Sequence, residues 1–129
     1  MKKKILIVSA NYYKDIAKGL LNSAIKLIPR KNKVKIIEVP GTFEIPVVIS
    51  RNINKYDAFL ALGCVIKGKT PHFDFISQAS INAIMDLSIK SKKPIGNAII
   101  TCLNMTQAKA RKIKGAEAAK AVISILSLK

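Results

Sequence analysis

Apolar runs of strand length alternate with segments of helical spacing along the whole chain, and this alternation restricts the fold more than any other feature. Lys4 to Ser9 reads as a buried strand. Asp15 to Ile28 then carries Ile16, Leu20, Ala24 and Leu27 at helical spacing, with Asp15 as N-cap and Pro29 as a stop. Val34 to Val39 returns to strand, and Pro40-Gly41 breaks it. A second helix is predicted over Phe43 to Ile53, opened by Thr42, with Glu44 in the first turn where the helix dipole favours a carboxylate. Ala58 to Ile66 is the third strand. His72 to Lys90 follows as a long helix with Ile76, Ala79, Ala83, Ile84 and Leu87 on one face. Pro94 to Thr101 is the fourth strand, and helices over about Thr106 to Lys112 and Ala116 to Leu128 complete the chain. Such alternation implies βαβ units, a parallel sheet and an α/β fold. No repeat, linker or low-complexity segment interrupts it, and Lys31-Asn32-Lys33 and Ser91-Lys92-Lys93 read as surface turns.

The 129 residues suffice for one domain, 1–129, with a proper core. Four Phe, three Tyr and no Trp leave aliphatic packing dominant. No apolar run approaches the ~20 residues of a membrane helix. The start Met1-Lys2-Lys3-Lys4 resembles a signal n-region, but Ile5 to Val8 is too short for an h-region. A cytoplasmic protein with no membrane partner is expected. Cys64 and Cys102 each adjoin an apolar run without a Cys-x-x-Cys neighbour or local histidine, so they read as buried free thiols.

The net charge of +16 suggests anionic partners, either nucleic acid or phosphorylated small molecules. Lysines supply 20 of the 23 basic residues. They are scattered, neither interleaved with aromatics nor gathered on one helix, and no nucleic-acid-binding motif accompanies them. A solvated lysine surface with no nucleic-acid partner is the simpler account.

Residues with chemical potential fall just after the strands: Asn11-Tyr12-Tyr13, then Gly41-Thr42-Phe43-Glu44, then Lys67 to His72, and finally Cys102 to Asn104 with Arg111 and Lys114. In a parallel sheet these ends share one edge, where open α/β folds bind ligands. Gly68-Lys69-Thr70 before a helix start suits an anion, against the alternative of a flexible turn. His72, the only histidine, is either a cap or a group that moves protons near neutral pH. Tyr12 is either a core or rim residue or a plate for a flat heterocycle. Glu44 has its helix-terminal role as an alternative, and Arg111 is either a surface cation or a phosphate fork. No Walker motif, G-x-G-x-x-G or H-E-x-x-H occurs, so neither a dinucleotide nor a metal mechanism is indicated.

Three blocks carry a specific resemblance. They are Pro40-Gly41-Thr42-Phe43-Glu44-Ile45-Pro46, the segment Gly63 to Asp74 with Gly68, Thr70 and His72 as Gly-x-Thr-x-His, and Gln107-Ala108 with Arg111, Lys114 and Gly115-Ala116-Glu117-Ala118-Ala119. With them the chain resembles the 6,7-dimethyl-8-ribityllumazine synthase family over nearly its whole length. The resemblance implies a flavodoxin-like three-layer sandwich with a four-stranded parallel sheet. It implies a pentamer with active sites between subunits and a condensation of 5-amino-6-(D-ribitylamino)uracil with 3,4-dihydroxy-2-butanone 4-phosphate, without metal or redox cofactor. By position, Tyr12 matches an aromatic that stacks on the pyrimidine. Thr42, Phe43 and Glu44 match the segment holding the pyrimidine and ribityl hydroxyls; Val65 and Ile66 line the same pocket, and Lys67 follows them as a substrate-binding candidate. Gly68, Lys69 and Thr70 match the phosphate-side loop, and His72 the proton-transfer histidine. Arg111 matches the phosphate-binding arginine and Lys114 the lysine near the ribityl chain, both supplied by an adjoining subunit.

The chain departs from the family at three places. Asn11-Tyr12-Tyr13 replaces the common Arg-Phe-Asn, and Asn97 stands where the family has a second ring-facing aromatic. The segment between Arg111 and Lys114 is shorter than in many relatives, and the N-terminal extension of shell-forming members is not seen. A pentamer or decamer is therefore expected in place of an icosahedral shell. The archaeal type of riboflavin synthase shares the fold and is the alternative within the family, disfavoured by the histidine loop. A basic nucleic-acid-binding α/β module is the alternative outside it.

Overall fold

A computed structural model describes residues 2–128. Met1, the first residue of the charged start, and Lys129 lie outside them. Four strands form one sheet in the order β2-β1-β3-β4, where β1 is Lys4–Ala10, β2 Lys33–Val39, β3 Ala58–Ile66 and β4 Ile95–Cys102. All neighbouring pairs are parallel. Five α-helices lie among the described residues: α1 Lys14–Leu27, α2 Ile45–Arg51, α3 His72–Ser91, α4 Met105–Ala110 and α5 Lys114–Leu126. This is an α/β architecture of the flavodoxin-like three-layer kind.

The central strands β1 and β3 are almost wholly apolar, apart from the exposed Lys4 at the start of β1 and the buried Ser9 near its end, because both of their faces are covered. Ile5, Ile7, Leu60, Leu62, Ala98 and Ile100 pack on one side with Ile16 and Leu20 of α1 and Ala119 and Val122 of α5. Leu6, Val8, Phe59, Ala61 and Ile99 pack on the other with Ile45 and Ile49 of α2 and Ile84 of α3. The edge strand β2 leaves Val34 and Ile36 exposed, and Lys33 and Lys35 alternate with them.

Some local expectations are corrected. Asp15 does not cap α1. Tyr13 is the N-cap, and Asp15 sits in the first turn bonded to Lys112. Leu27 is exposed, while Ile28, where the chain leaves the helix, turns inward and is buried. The second helix is shorter than Phe43 to Ile53: a 3-10 turn over Thr42–Glu44 precedes α2, and α2 stops at Arg51. Ala79 faces solvent, whereas Ser80 and Ile84 are the buried positions of α3. α3 carries apolar residues on several sides, including exposed Phe75, Met85 and Ile89, so periodicity alone could not select its inner face. Among the described residues no helix is long and apolar enough to cross a membrane.

Candidate active site

The connection from β1 runs to one side of the sheet and that from β3 to the other, so their carboxyl ends flank the switch point where such sheets open a crevice. A cavity of about 560 Å³ lies there, within the usual range for small-molecule sites. Three chain segments build it.

After β1, the Asn11 N–H donates to Val39 O at 2.9 Å and continues the ladder, and Asn11 Nδ2 donates to Glu38 Oε2 at 3.0 Å. The next two residues turn into the cavity wall. Tyr12 is 74% exposed, and its ring stands edge-to-face with that of Tyr13, with centroids 4.9 Å apart and planes at 85°.

After β2, Gly41 admits a close approach by Glu44. A Cβ on Gly41 would lie 3.1 Å from Glu44 Oε1, and Glu44 N–H donates to Gly41 O at 3.2 Å. Thr42 is buried, and its hydroxyl occupies the space left by Gly63 of β3, where a Cβ would come within 2.7 Å of Thr42 Oγ1. Phe43 is left largely exposed at the rim.

The third segment is the end of β3 and its loop. Cys64, Val65 and Ile66 form part of the cavity wall. Lys67 N–H donates to Cys102 O at 2.9 Å, which holds the loop's start. Gly68, Lys69 and Thr70 are exposed, and nothing lies within 4 Å of where a Gly68 Cβ would be. Thr70 Oγ1 accepts from His72 N–H at 3.4 Å, a long contact at the start of α3. His72 lines the cavity, and Ile76, one turn later on the same helical face, lines it too.

The cavity therefore joins Tyr12, Thr42, Phe43, Glu44, Val65, Ile66 and His72. Lys67, Gly68, Lys69 and Thr70 sit in the loop between its Ile66 and His72 walls. The end of β4 does not take part. Asn97, Arg111 and Lys114 line a separate hollow of about 270 Å³ over β4, because β4 is the outer strand on the far side of β3. There Arg111 Nη1 donates to Thr101 O at 3.0 Å. Lys114 Nζ lies 3.1 Å from Glu117 Oε2, and Asn97 Oδ1 accepts from Ile99 N–H at 3.0 Å.

Sequence reasoning gave Cys64 and Ile76 no part in the cavity lining, and it placed Tyr13 at the strand-end edge without assigning it a role. The strand period links Cys64 to Ile66, and the helix period links Ile76 to His72; either could have supplied the signal. Burial, then Tyr12 and Cys64 nearby, push the Tyr13 hydroxyl pKa above its ordinary value. Burial, then the adjoining Cys102, push the Cys64 thiol up to about 12. Both stay protonated at neutral pH, so the wall offers neutral donors and no ready thiolate. Both cysteines are free, and among the described residues no three His, Cys, Asp or Glu cluster as metal ligands.

Residues 2–129 match the family model described as 6,7-dimethyl-8-ribityllumazine synthase. A protein of that name from Methylobacterium radiotolerans is 41% identical over 134 residues, spanning 98% of this chain and 82% of its own. One from Agrobacterium fabrum is 40% identical over 141 residues, spanning 99% and 95%. One from Bartonella tribocorum is 39% identical over 140 residues, spanning 100% and 93%.

Proposed function

The chain belongs to the 6,7-dimethyl-8-ribityllumazine synthase family, and from that premise we propose that it is a transferase of riboflavin biosynthesis, condensing 5-amino-6-(D-ribitylamino)uracil with 3,4-dihydroxy-2-butanone 4-phosphate. The observation that carries this reading to particular residues is the strand-end cavity, where an aromatic plate, a threonine–glutamate pair and the only histidine face one space.

The reaction is proton transfer, addition and elimination. The pyrimidine's amine attacks the ketone carbon and water leaves. Loss of a carbon-bound proton then expels phosphate, which departs with the electron pair of its C–O bond. The enol left behind becomes a ketone as a proton passes from its oxygen to the terminal carbon; the ribityl-bearing nitrogen closes the ring on that new ketone, and a second water leaves. Every step needs a proton carrier and two substrates held in register, and none needs a resident cofactor.

In this reading Tyr12 stacks on the pyrimidine, and Thr42, Phe43 and Glu44 hold the ring and the ribityl hydroxyls. Val65 and Ile66 wall the pocket beside Lys67. Gly68, Lys69 and Thr70 receive the phosphate with backbone amides at the start of α3, and His72 moves the protons. Arg111, Lys114 and Asn97 serve the cavity of an adjoining copy, since their hollow lies across β4 from their own chain's cavity. A head-to-tail contact of that kind closes into a ring, here a pentamer or a pair of pentamers in the cytoplasm, each copy one domain of residues 1–129. The test is to mix both precursors with the purified protein. A yellow, fluorescent lumazine formed with stoichiometric inorganic phosphate supports the reading, and absence of both products overturns it.

A further inference from the structure

Tyr12 is poorly held by its own surroundings. It is 74% exposed, and among the described residues its one aromatic partner is Tyr13. An aromatic plate that must present one plane to a flat ring loses affinity if its side chain has to be ordered on binding. Tyr13 is held far better. Its ring packs on the core cluster that includes Ile16, Leu20 and Cys102. Its carbonyl accepts the Ala17 N–H at 2.9 Å, so its backbone is part of the start of α1. Its φ of −103° and ψ of 92° bring the two neighbouring rings together at 4.9 Å and 85°, where ring edge meets ring face favourably.

We propose that Tyr13 is a positioning residue: it fixes the plane of the Tyr12 ring and thereby sets the enzyme's affinity for the pyrimidine substrate. This rests on the reading of the cavity as the lumazine-forming site. The position is one where the resembling family commonly has asparagine, so the device belongs to this chain's own Tyr12-Tyr13 pair. The contact is one of ring against ring, so the proposal requires the Tyr13 ring to matter more to it than the hydroxyl.

The test compares Tyr13→Phe, which keeps the ring, with Tyr13→Leu, which keeps apolar packing and loses it. Tyr13→Leu is expected to raise the KM for the pyrimidine by about three- to tenfold, the strength of such a ring pair, and to leave the KM for the phosphorylated ketone unchanged. Tyr13→Phe, which keeps the ring, is expected to raise the pyrimidine KM clearly less than Tyr13→Leu does. An unchanged pyrimidine KM in folded Tyr13→Leu, or an equal rise in both KM values, overturns the proposal. A second measurement needs no substrate. NMR relaxation of a labelled Tyr12 ring is expected to show greater mobility in Tyr13→Leu than in wild type, and equal mobility also overturns the proposal. Failure of the wild-type protein to form lumazine would refute the functional reading separately.

Discussion

Lys112 Nζ lies 2.9 Å from Asp15 Oδ2, joining the first turn of α1 to the short segment between α4 and α5. The hydrogen bond from Lys112, then its charge, hold the Asp15 carboxyl below the usual carboxylate range. A lowered native-state pKa means that the charged form favours the folded chain. The stabilisation is present above the unfolded-state pKa and is lost as pH falls through the native one. The pair is exposed and its contribution small. Thermal melts on acidification from about pH 6 to about pH 2 should show wild type losing slightly more stability than Asp15→Asn. Parallel curves for the two proteins would remove the role assigned to this pair.

Gly115 is needed for the approach of α1 to α5. A Cβ there would lie 2.0 Å from Leu20 O and 2.6 Å from Ser23 Oγ. The Ser23 hydroxyl itself lies 3.0 Å from Leu20 O and 2.9 Å from Lys112 O, and accepts from Ala116 N–H at 3.1 Å. Backbone cannot yield as a flexible side chain does, so Gly115→Ala must part the helices. The expected cost is about 3 kcal/mol, the upper end for overpacked sites, read as a lower midpoint in urea. A loss under about 1 kcal/mol would mean the contact relaxes easily.

The sheet was legible because strands buried on both faces read as unbroken apolar runs, and Ala58 to Ile66 matches β3 residue for residue. Helix faces were harder to read. α3 is apolar on several sides, so Ala79 and Ser80 differ in burial for a tertiary reason that no period encodes. Asp15 suits an N-cap and a first turn alike, and Lys112, distant in sequence, takes it in the first turn. For the site, the chemical types after each strand could be read directly. Which strand ends share a cavity could not, because that depends on β4 lying outside β3 and away from β1.

Cys64 borders the cavity with its thiol pKa pushed up to about 12 by burial and by Cys102. The thiolate is the reactive form. Iodoacetamide should therefore leave Cys64 almost unmodified in native protein at neutral pH, as read by mass spectrometry of its peptide. Cys64→Ser should keep activity. Rapid alkylation at neutral pH would show a more ionised thiol than this environment allows.

His72 opens α3 at the cavity wall. If its imidazole moves the protons, His72→Ala should lower kcat by about 100-fold or more, while an unreactive pyrimidine analogue binds nearly as before. A matched loss of analogue affinity would instead make His72 a binding group. Comparing kcat with a calorimetric Kd separates the two.

Arg111 reaches back to Thr101 O in a hollow that its own chain's cavity does not share. Its proposed phosphate contact must then be made across a subunit boundary, and this can be tested by complementation. Arg111→Ala should raise the KM for the phosphorylated ketone more than that for the pyrimidine, because the guanidinium fork binds phosphate. His72→Ala and Arg111→Ala proteins, unfolded together and refolded into mixed rings, should form some sites that take His72 from one copy and Arg111 from the next. Activity should then exceed the sum of the two variants refolded alone, since each head-to-tail contact pairs different faces. No gain on mixing, with both variants correctly assembled by light scattering, would place Arg111 outside the neighbouring cavity.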